Sequence, residues 1–219
     1  MTATIITIAQ RKGGAGKTTL AAHLAVAWAS AGRIVSLVDT DPQASLAQWY
    51  RRREERLGTC ATGLGFVAVT GWRSAEEIAQ RAREYDIVLI DSPASVDADA
   101  RAAIRSAGLV LVPVQPSPVD VWATLPTLAM AQQEGVPALL VLNRVPARAS
   151  LTQAMRERLA LYDVGLAAHG LGNRIAFAAA FAEGWGIVES AEGSPAAAEI
   201  TGLAAEVLEL LPKPRQAAA

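Results

Sequence analysis

Lys12-Gly13-Gly14-Ala15-Gly16-Lys17-Thr18-Thr19 follows directly on the apolar run Ile5-Ile6-Thr7-Ile8-Ala9. A glycine-rich loop set between a strand and a helix is a phosphate cradle. Its backbone N–H groups point into a concavity, and the helix N-terminus adds a positive dipole end. Gly13, Gly14, Ala15, Gly16, Lys17, Thr18 and Thr19 are therefore the expected nucleotide-binding residues. Lys17 is placed to reach β/γ-phosphates, and the Thr18 hydroxyl to ligate Mg²⁺. The usual form of such a loop has Gly at position 11, where this chain has Arg11. It carries instead a second lysine, Lys12, at the head of the loop. The chain has 17 arginines but three lysines, so two of the three sit in this loop.

At 219 residues, with 52% hydrophobic residues, the chain is long enough to bury one sizeable α/β core. A net charge of −1 excludes a nucleic-acid binder by bulk composition, so any such affinity must come from a local patch. No apolar stretch reaches the roughly 18 residues of a membrane span. The N-terminus lacks a basic segment followed by an apolar one, so no signal peptide is expected. One cysteine, Cys60, can form no internal disulfide, cluster or structural zinc site. These features point to the cytoplasm. The expected organisation is one domain over residues 1–211 and a frayed tail over 212–219.

Strand signals over 4–9, 34–38, 66–69, 87–90, 109–114 and 138–142 alternate with helix signals over 17–30, 42–57, 74–84, 97–106 and 119–133. Short β-branched runs between longer amphipathic ones predict an α/β fold, a mostly parallel twisted sheet flanked by helices on both faces. Right-handed crossovers then bring every strand's C-terminal end to one edge, where α/β proteins bind ligands. Asp39-Thr40-Asp41-Pro42-Gln43 follows one strand and Asp91-Ser92-Pro93-Ala94 another. A lone strand-end aspartate is often only a helix cap. Two acidic clusters sharing an edge with the glycine loop are a more specific signal. Mg²⁺ takes few protein ligands and keeps several waters, so Thr18 with Asp91 as an outer-shell carboxylate suffices.

The run Lys12–Thr19 resembles the deviant Walker A loop of the ParA/MinD family of P-loop ATPases. The resemblance implies ATP and Mg²⁺ as cofactors. It also implies a Lys12 that reaches across a dimer interface to the partner's nucleotide, as an arginine finger does in other NTPases. The segment Val38-Asp39-Thr40-Asp41-Pro42-Gln43 is similar to the family's VDxDPQ switch. That implies Asp41 as the carboxylate orienting the attacking water, completing a catalytic set with Lys12 and Lys17. Asp39 would contact the metal's water shell and support the switch. Ser92 and Pro93 resemble the second switch, which senses the γ-phosphate. Asn143 and Arg144 end a strand on the same edge, and in relatives an asparagine there contacts adenine; a plain turn residue is the alternative. Pro113-Val-Gln-Pro-Ser-Pro-Val-Asp120 resembles a segment of the small ParF-like partition ATPases that lies by the nucleotide and the dimer interface. Three rigid prolines could equally be a stiff loop. The resemblance is strongest over 4–45 and 86–145. Over 46–85 and 146–219 it is weaker, with Asn173-Arg174-Ile175 and residues 186–189 matching only roughly.

Sister families make demands that this chain fails. One cysteine excludes the nitrogenase iron protein and the arsenite pumps. The last tyrosine is Tyr162, so there is no tyrosine-rich kinase tail. Residues 203–211 are short and acidic and read as a core-packing helix rather than a lipid-binding one. With the loop beginning at residue 12, no helix-turn-helix is expected ahead of it. The resemblance then implies a small ParA-type ATPase, cytoplasmic and nucleoid-associated. It would form an ATP-dependent homodimer, bind DNA without sequence preference, avoid membranes and position a cargo, with a ParB-like or adaptor protein stimulating hydrolysis. Arg144, Arg148, Arg156, Arg158 and Arg174 are the expected DNA contacts. The run Arg51-Arg52-Arg53-Glu54-Glu55-Arg56 mixes signs and reads as a solvated helix face. A MinD-like membrane-surface ATPase and a P-loop ligase of the dethiobiotin synthetase type are the alternatives.

Overall fold

Apolar runs of two to six residues form the strands β1 (Thr4–Ile8), β2 (Val35–Asp39), β3 (Gly65–Ala68), β4 (Ile87–Asp91), β5 (Leu109–Val114), β6 (Ala138–Leu142) and β7 (Gly165–Leu166). They build a seven-stranded sheet in the order β3-β2-β4-β1-β5-β6-β7, with every pair parallel. The helices are α1 (Lys17–Ser30), α2 (Ser45–Leu57), α3 (Ser74–Arg81), α4 (Ala98–Arg105), α5 (Pro118–Gln133), α6 (Ser150–Leu159), α7 (Ile175–Ala182), α8 (Ile187–Ser190) and α9 (Pro195–Leu210). The computed structural model describes residues 3–59, 62–95, 98–147 and 150–211. Cys60, Arg148 and the expected tail over 212–219 lie outside the described residues.

Period-two alternation divides the strand side chains between the two faces of the sheet. Ile6, Ile8, Leu37, Leu89, Leu111 and Val141 face α1, α2 and α7–α9. Val110, Val112, Leu140 and Leu142 share the other face with Val121 and Met130 of α5 and with Met155 and Leu159 of α6. Helix α1 is buried from Leu20 to Trp28 because it lies between the sheet and the C-terminal helices. A helix so enclosed has no polar face to keep, hence its nearly continuous Ala, Leu and Val. Trp28 Nε1 donates to the Ala204 carbonyl at 2.9 Å, and Ile200, Leu203 and Val207 of α9 complete that layer. The helix expected over 203–211 is thus the end of α9, and it packs into the core.

The expected boundaries shift where polar chemistry intervenes. Ile34 is left outside β2, 59% exposed, with its N–H bonded to the Asp86 carboxylate. Strands β2 and β4 each run one residue further than expected and end on Asp39 and Asp91, which pair in register. Helix α2 starts at Ser45, not 42. Asp41 Oδ1 accepts the Gln43 N–H at 2.9 Å, and Ala44 takes a left-handed φ of 52°, so 41–44 is a turn. The region after 142 holds β7 and α6–α8, none of which the apolar pattern marked.

Candidate functional site

The glycine loop crosses from β1 to α1 and is clamped from the β5–β6 side. Gln115 Nε2 donates to the Gly14 carbonyl at 3.1 Å, and the Arg11 N–H to Thr127 Oγ1 at 3.2 Å. Gln10 Nε2 bridges the Pro113 carbonyl and Thr124 Oγ1. Asn143 Nδ2 donates to the Ala15 carbonyl at 2.8 Å, while its Oδ1 accepts the Arg144 N–H at 2.9 Å and holds Arg144 at a left-handed φ of 52°. Gly16 is at φ 94°, and a Cβ there would stand 2.3 Å from Asn143 Nδ2. Backbone conformation and space both demand glycine at this point. Asn143 thus grips the loop itself, more than a turn residue needs to.

Lys17, the first residue of α1, is buried, and burial lowers its pKa against the opposing pull of Asp91 and Asp41. Asp91 is buried at the end of β4. Burial pushes its carboxyl up to about 7, with Thr18 and Lys17 holding it down and Asp39 and Asp41 pushing it further up. Thr18 lies close enough to act on this carboxyl, yet neither Asp91 oxygen has a hydrogen-bond partner of sound geometry. Asp39, equally buried, is instead satisfied by two backbone donors, Asp41 N–H at 3.1 Å and Ala47 N–H at 3.0 Å. Burial raises its pKa and these amides offset part of that rise. Asp39 therefore ties the turn at 41–44 to the first turn of α2. Thr40 doubles the tie to β4, its N–H and hydroxyl both donating to the Asp91 carbonyl.

An orphaned buried carboxylate beside a threonine hydroxyl and a lysine fits a hydrated divalent cation on a polyphosphate. Mg²⁺ held by Thr18, with Asp91 ordering its waters, would supply charge neutralisation there. Such a site needs no cluster of carboxylates. Among the described residues no group of three or more His, Cys, Asp or Glu is placed to hold a metal. Next to Gly16, Thr19 and Leu20 a cavity of about 250 Å³ opens, lined by Asn143, Arg144 and the stretch from Leu171 to Ile175. It continues the loop's phosphate cradle toward the end of β6, where a base and sugar would lie.

The family model for the CobQ/CobB/MinD/ParA nucleotide-binding domain matches residues 6–184. The chain belongs to the ParA/MinD family of P-loop ATPases. It is 30% identical over 210 residues to the maintenance of carboxysome distribution protein A of Halothiobacillus neapolitanus, covering 93% of this chain and 95% of that one. Its fold matches the cell-division ATPase MinD of Pyrococcus furiosus with a TM-score of 0.78 at 25% identity, over 95% of this chain and 99% of that chain. The MinD of Pyrococcus horikoshii, solved with Mg-ADP, matches with a TM-score of 0.77 at 24% identity, over 94% and 96%.

For a ParA/MinD ATPase, the sheet edge brings together Lys12, Lys17, Thr18, Asp39, Asp41, Asp91 and Asn143, as the strand order demands. The expected DNA contacts are dispersed. Arg144 is exposed on the rim of the cavity. Arg174 lines the same cavity and is paired to Glu199, with Nη2 2.6 Å from Oε1. Arg158 is exposed on α6 and Arg156 half-buried, neither in an ion pair among the described residues. Arg148 lies outside the described residues. The run at 51–56 is not simply a solvated face. Arg53 is buried and bidentate to Glu189, with further bonds to the Thr62 and Gly184 carbonyls, and Arg56 pairs with Glu183. Its mixed signs concealed a partner more than 130 residues away. Gln10, Gln115 and Asp120 contact the loop and had no assigned role. Gln115 and Asp120 both stood inside the recognised segment at 113–120, while nothing local marks Gln10.

Proposed function

We propose that this chain is a ParA-type ATPase that pairs around ATP, binds DNA without sequence preference and positions a large intracellular cargo. The observation that carries the chemistry is the unpartnered Asp91 carboxylate beside Thr18 and Lys17, at the one edge where the loop and both strand-end aspartates converge. Lys17 and the loop amides hold the β/γ-phosphates, Thr18 and Asp91 the magnesium and its waters, with Asp39 supporting the switch. Asp41, in the turn that Asp39 anchors, orients the attacking water. Lys12 at the head of the loop reaches the second protomer's nucleotide. Hydrolysis is slow until an adaptor of ParB-like role accelerates it.

The likeness to a carboxysome distribution protein over nearly the whole chain supports a protein assembly as cargo, with a plasmid or chromosome region as the other members of that class. DNA is favoured over lipid as the surface. Helix α9 turns its Ile200, Leu203, Ala204 and Val207 onto the core, and no helix among the described residues is long and apolar enough to cross a membrane. Sedimentation of the ATP-loaded protein with duplex DNA and, separately, with anionic liposomes tests the choice. Pelleting with DNA alone is expected; pelleting with liposomes alone assigns the membrane-surface reading.

A further inference from the structure

The first turn of α5 has the spacing of a capping box and does not close one. Ser117 caps the helix, its Oγ accepting the Asp120 N–H at 3.2 Å. The reciprocal bond, in which the capping residue's N–H would donate to the third residue's carboxylate, is absent. The Ser117 N–H goes instead to the Gln115 carbonyl at 2.7 Å. This frees the Asp120 carboxylate to face Lys12, with Nζ 2.7 Å from Oδ2, and the Ser117 hydroxyl donates to the same oxygen. The Asp120 side chain is 5% exposed and that of Lys12 35%. The carboxylate is therefore the fixed partner and the ammonium the mobile one.

We propose that Asp120 is a positioning residue that holds Lys12 within its own protomer until the nucleotide of a second copy draws it away. This rests on the reading of Lys12 as a residue that acts in trans. One ammonium cannot sit on its own Asp120 and on a partner's phosphates, so the two contacts compete. Because its ammonium end is open to solvent, the ion pair is screened enough to yield to a polyphosphate, which concentrates several negative charges. Asp120 is not stranded when Lys12 leaves. It keeps the Ser117 hydroxyl and the positive end of α5, which avoids the penalty of an abandoned buried charge. The contact thus sets a threshold for pairing that only a nucleotide-loaded partner brings the charge to overcome.

The lysine count makes a direct test available, because only Lys12, Lys17 and Lys213 carry a side-chain amine. Nucleotide-free full-length protein is treated with limiting acetic anhydride and read residue by residue by mass spectrometry, with Lys213 as internal reference. Asp120→Asn is expected to raise Lys12 labelling by about threefold, the scale of an exposed ion pair. It should also lower, by a similar factor, the protein concentration for half-pairing with AMPPNP in sedimentation velocity. Unchanged labelling, or an unchanged or higher midpoint, overturns the proposal. Asp120→Ser, which also lacks the charge, is read in the same way if the Asn variant folds poorly. Lys12→Gln separates the two ideas. If it pairs as well as wild type, the trans reading fails and takes this proposal with it. If it fails to pair while Asp120→Asn changes nothing, only the holding role of Asp120 fails.

Discussion

Asp39 and Asp91 face each other in register as the last residues of neighbouring parallel strands, and their carboxylates are used in opposite ways. Asp39 is filled by two backbone amides, whereas Asp91 is buried with none. The first holds the turn at 41–44 in place. The second is left with its acceptor capacity unused at the point where a hydrated cation would bind.

Asp91→Asn keeps the shape of the side chain and removes its charge. Nucleotide affinity in EDTA should stay within a few-fold of wild type, while the increase on adding magnesium should shrink by about tenfold, the loss of a charge-assisted contact to metal-bound water. Isothermal titration with and without magnesium measures both. An undiminished magnesium effect would remove Asp91 from the metal's water shell.

Lys17→Ala should abolish nucleotide binding. Lys17 is fixed at the start of α1, where Asp91 and Asp41 favour its charged form against burial, so the β/γ-phosphates lose a preorganised partner. Equilibrium binding of labelled ATP within about threefold of wild type would be incompatible with a phosphate-binding lysine.

Asp41→Ala should still bind ATP and hydrolyse it poorly, since the phosphate-neutralising groups remain while the water loses its orienting carboxylate. A long-lived ATP-bound dimer is expected by light scattering. Turnover at the wild-type rate would move the role to another group, with Asp39 next in line.

His23 gives a pH signature that does not involve the nucleotide. Its Nε2–H donates to the Phe177 carbonyl at 3.0 Å and its Nδ1 accepts the Ile187 N–H at 3.1 Å, so the ring is held neutral. Burial lowers its pKa to about 4 from an ordinary 6.5. The stability this provides is complete above pH 6.5 and is lost as the pH falls through 4, amounting to about 3 kcal/mol. Urea unfolding at several pH values should show that loss in wild type and a smaller one in His23→Gln. Equal losses in the two proteins would place the acid sensitivity elsewhere.

Much of the nucleotide edge was legible because its determinants are local. Glycines at fixed spacing, β-branched runs and strand-end aspartates each act within a few residues, and the parallel order follows from the alternation of strands and helices. The start of α2 was misplaced because the Asp41–Gln43 contact competes with helix formation at 42–44. Helix α7, with the sequence Ile-Ala-Phe-Ala-Ala-Ala-Phe-Ala, carries no polar face to give a period, and β7 has only two residues. Arg53 and Glu189, and likewise Gln115 and Gly14, meet only through the fold, so no window along the chain could join them. Arg174, expected as a DNA contact, is exposed and borders the cavity, and its pairing with Glu199 on α9 could not be read from any local window.

In the proposed function, pairing around ATP creates a DNA-binding surface on a protein of net charge −1. The most direct measurement is equilibrium binding to two duplexes of unrelated sequence, with ATP, with ADP and without nucleotide, across a salt series. Two copies of a weak arginine patch bind together where one cannot. Binding should therefore appear with ATP alone, equally for both duplexes, with log K falling by roughly 0.9 per phosphate contact for each log unit of salt. Glutamate at Arg156 and Arg158 should weaken it evenly while ATP binding persists. Binding that is equally tight without nucleotide, or an ATP-bound dimer that ignores DNA, would contradict the account.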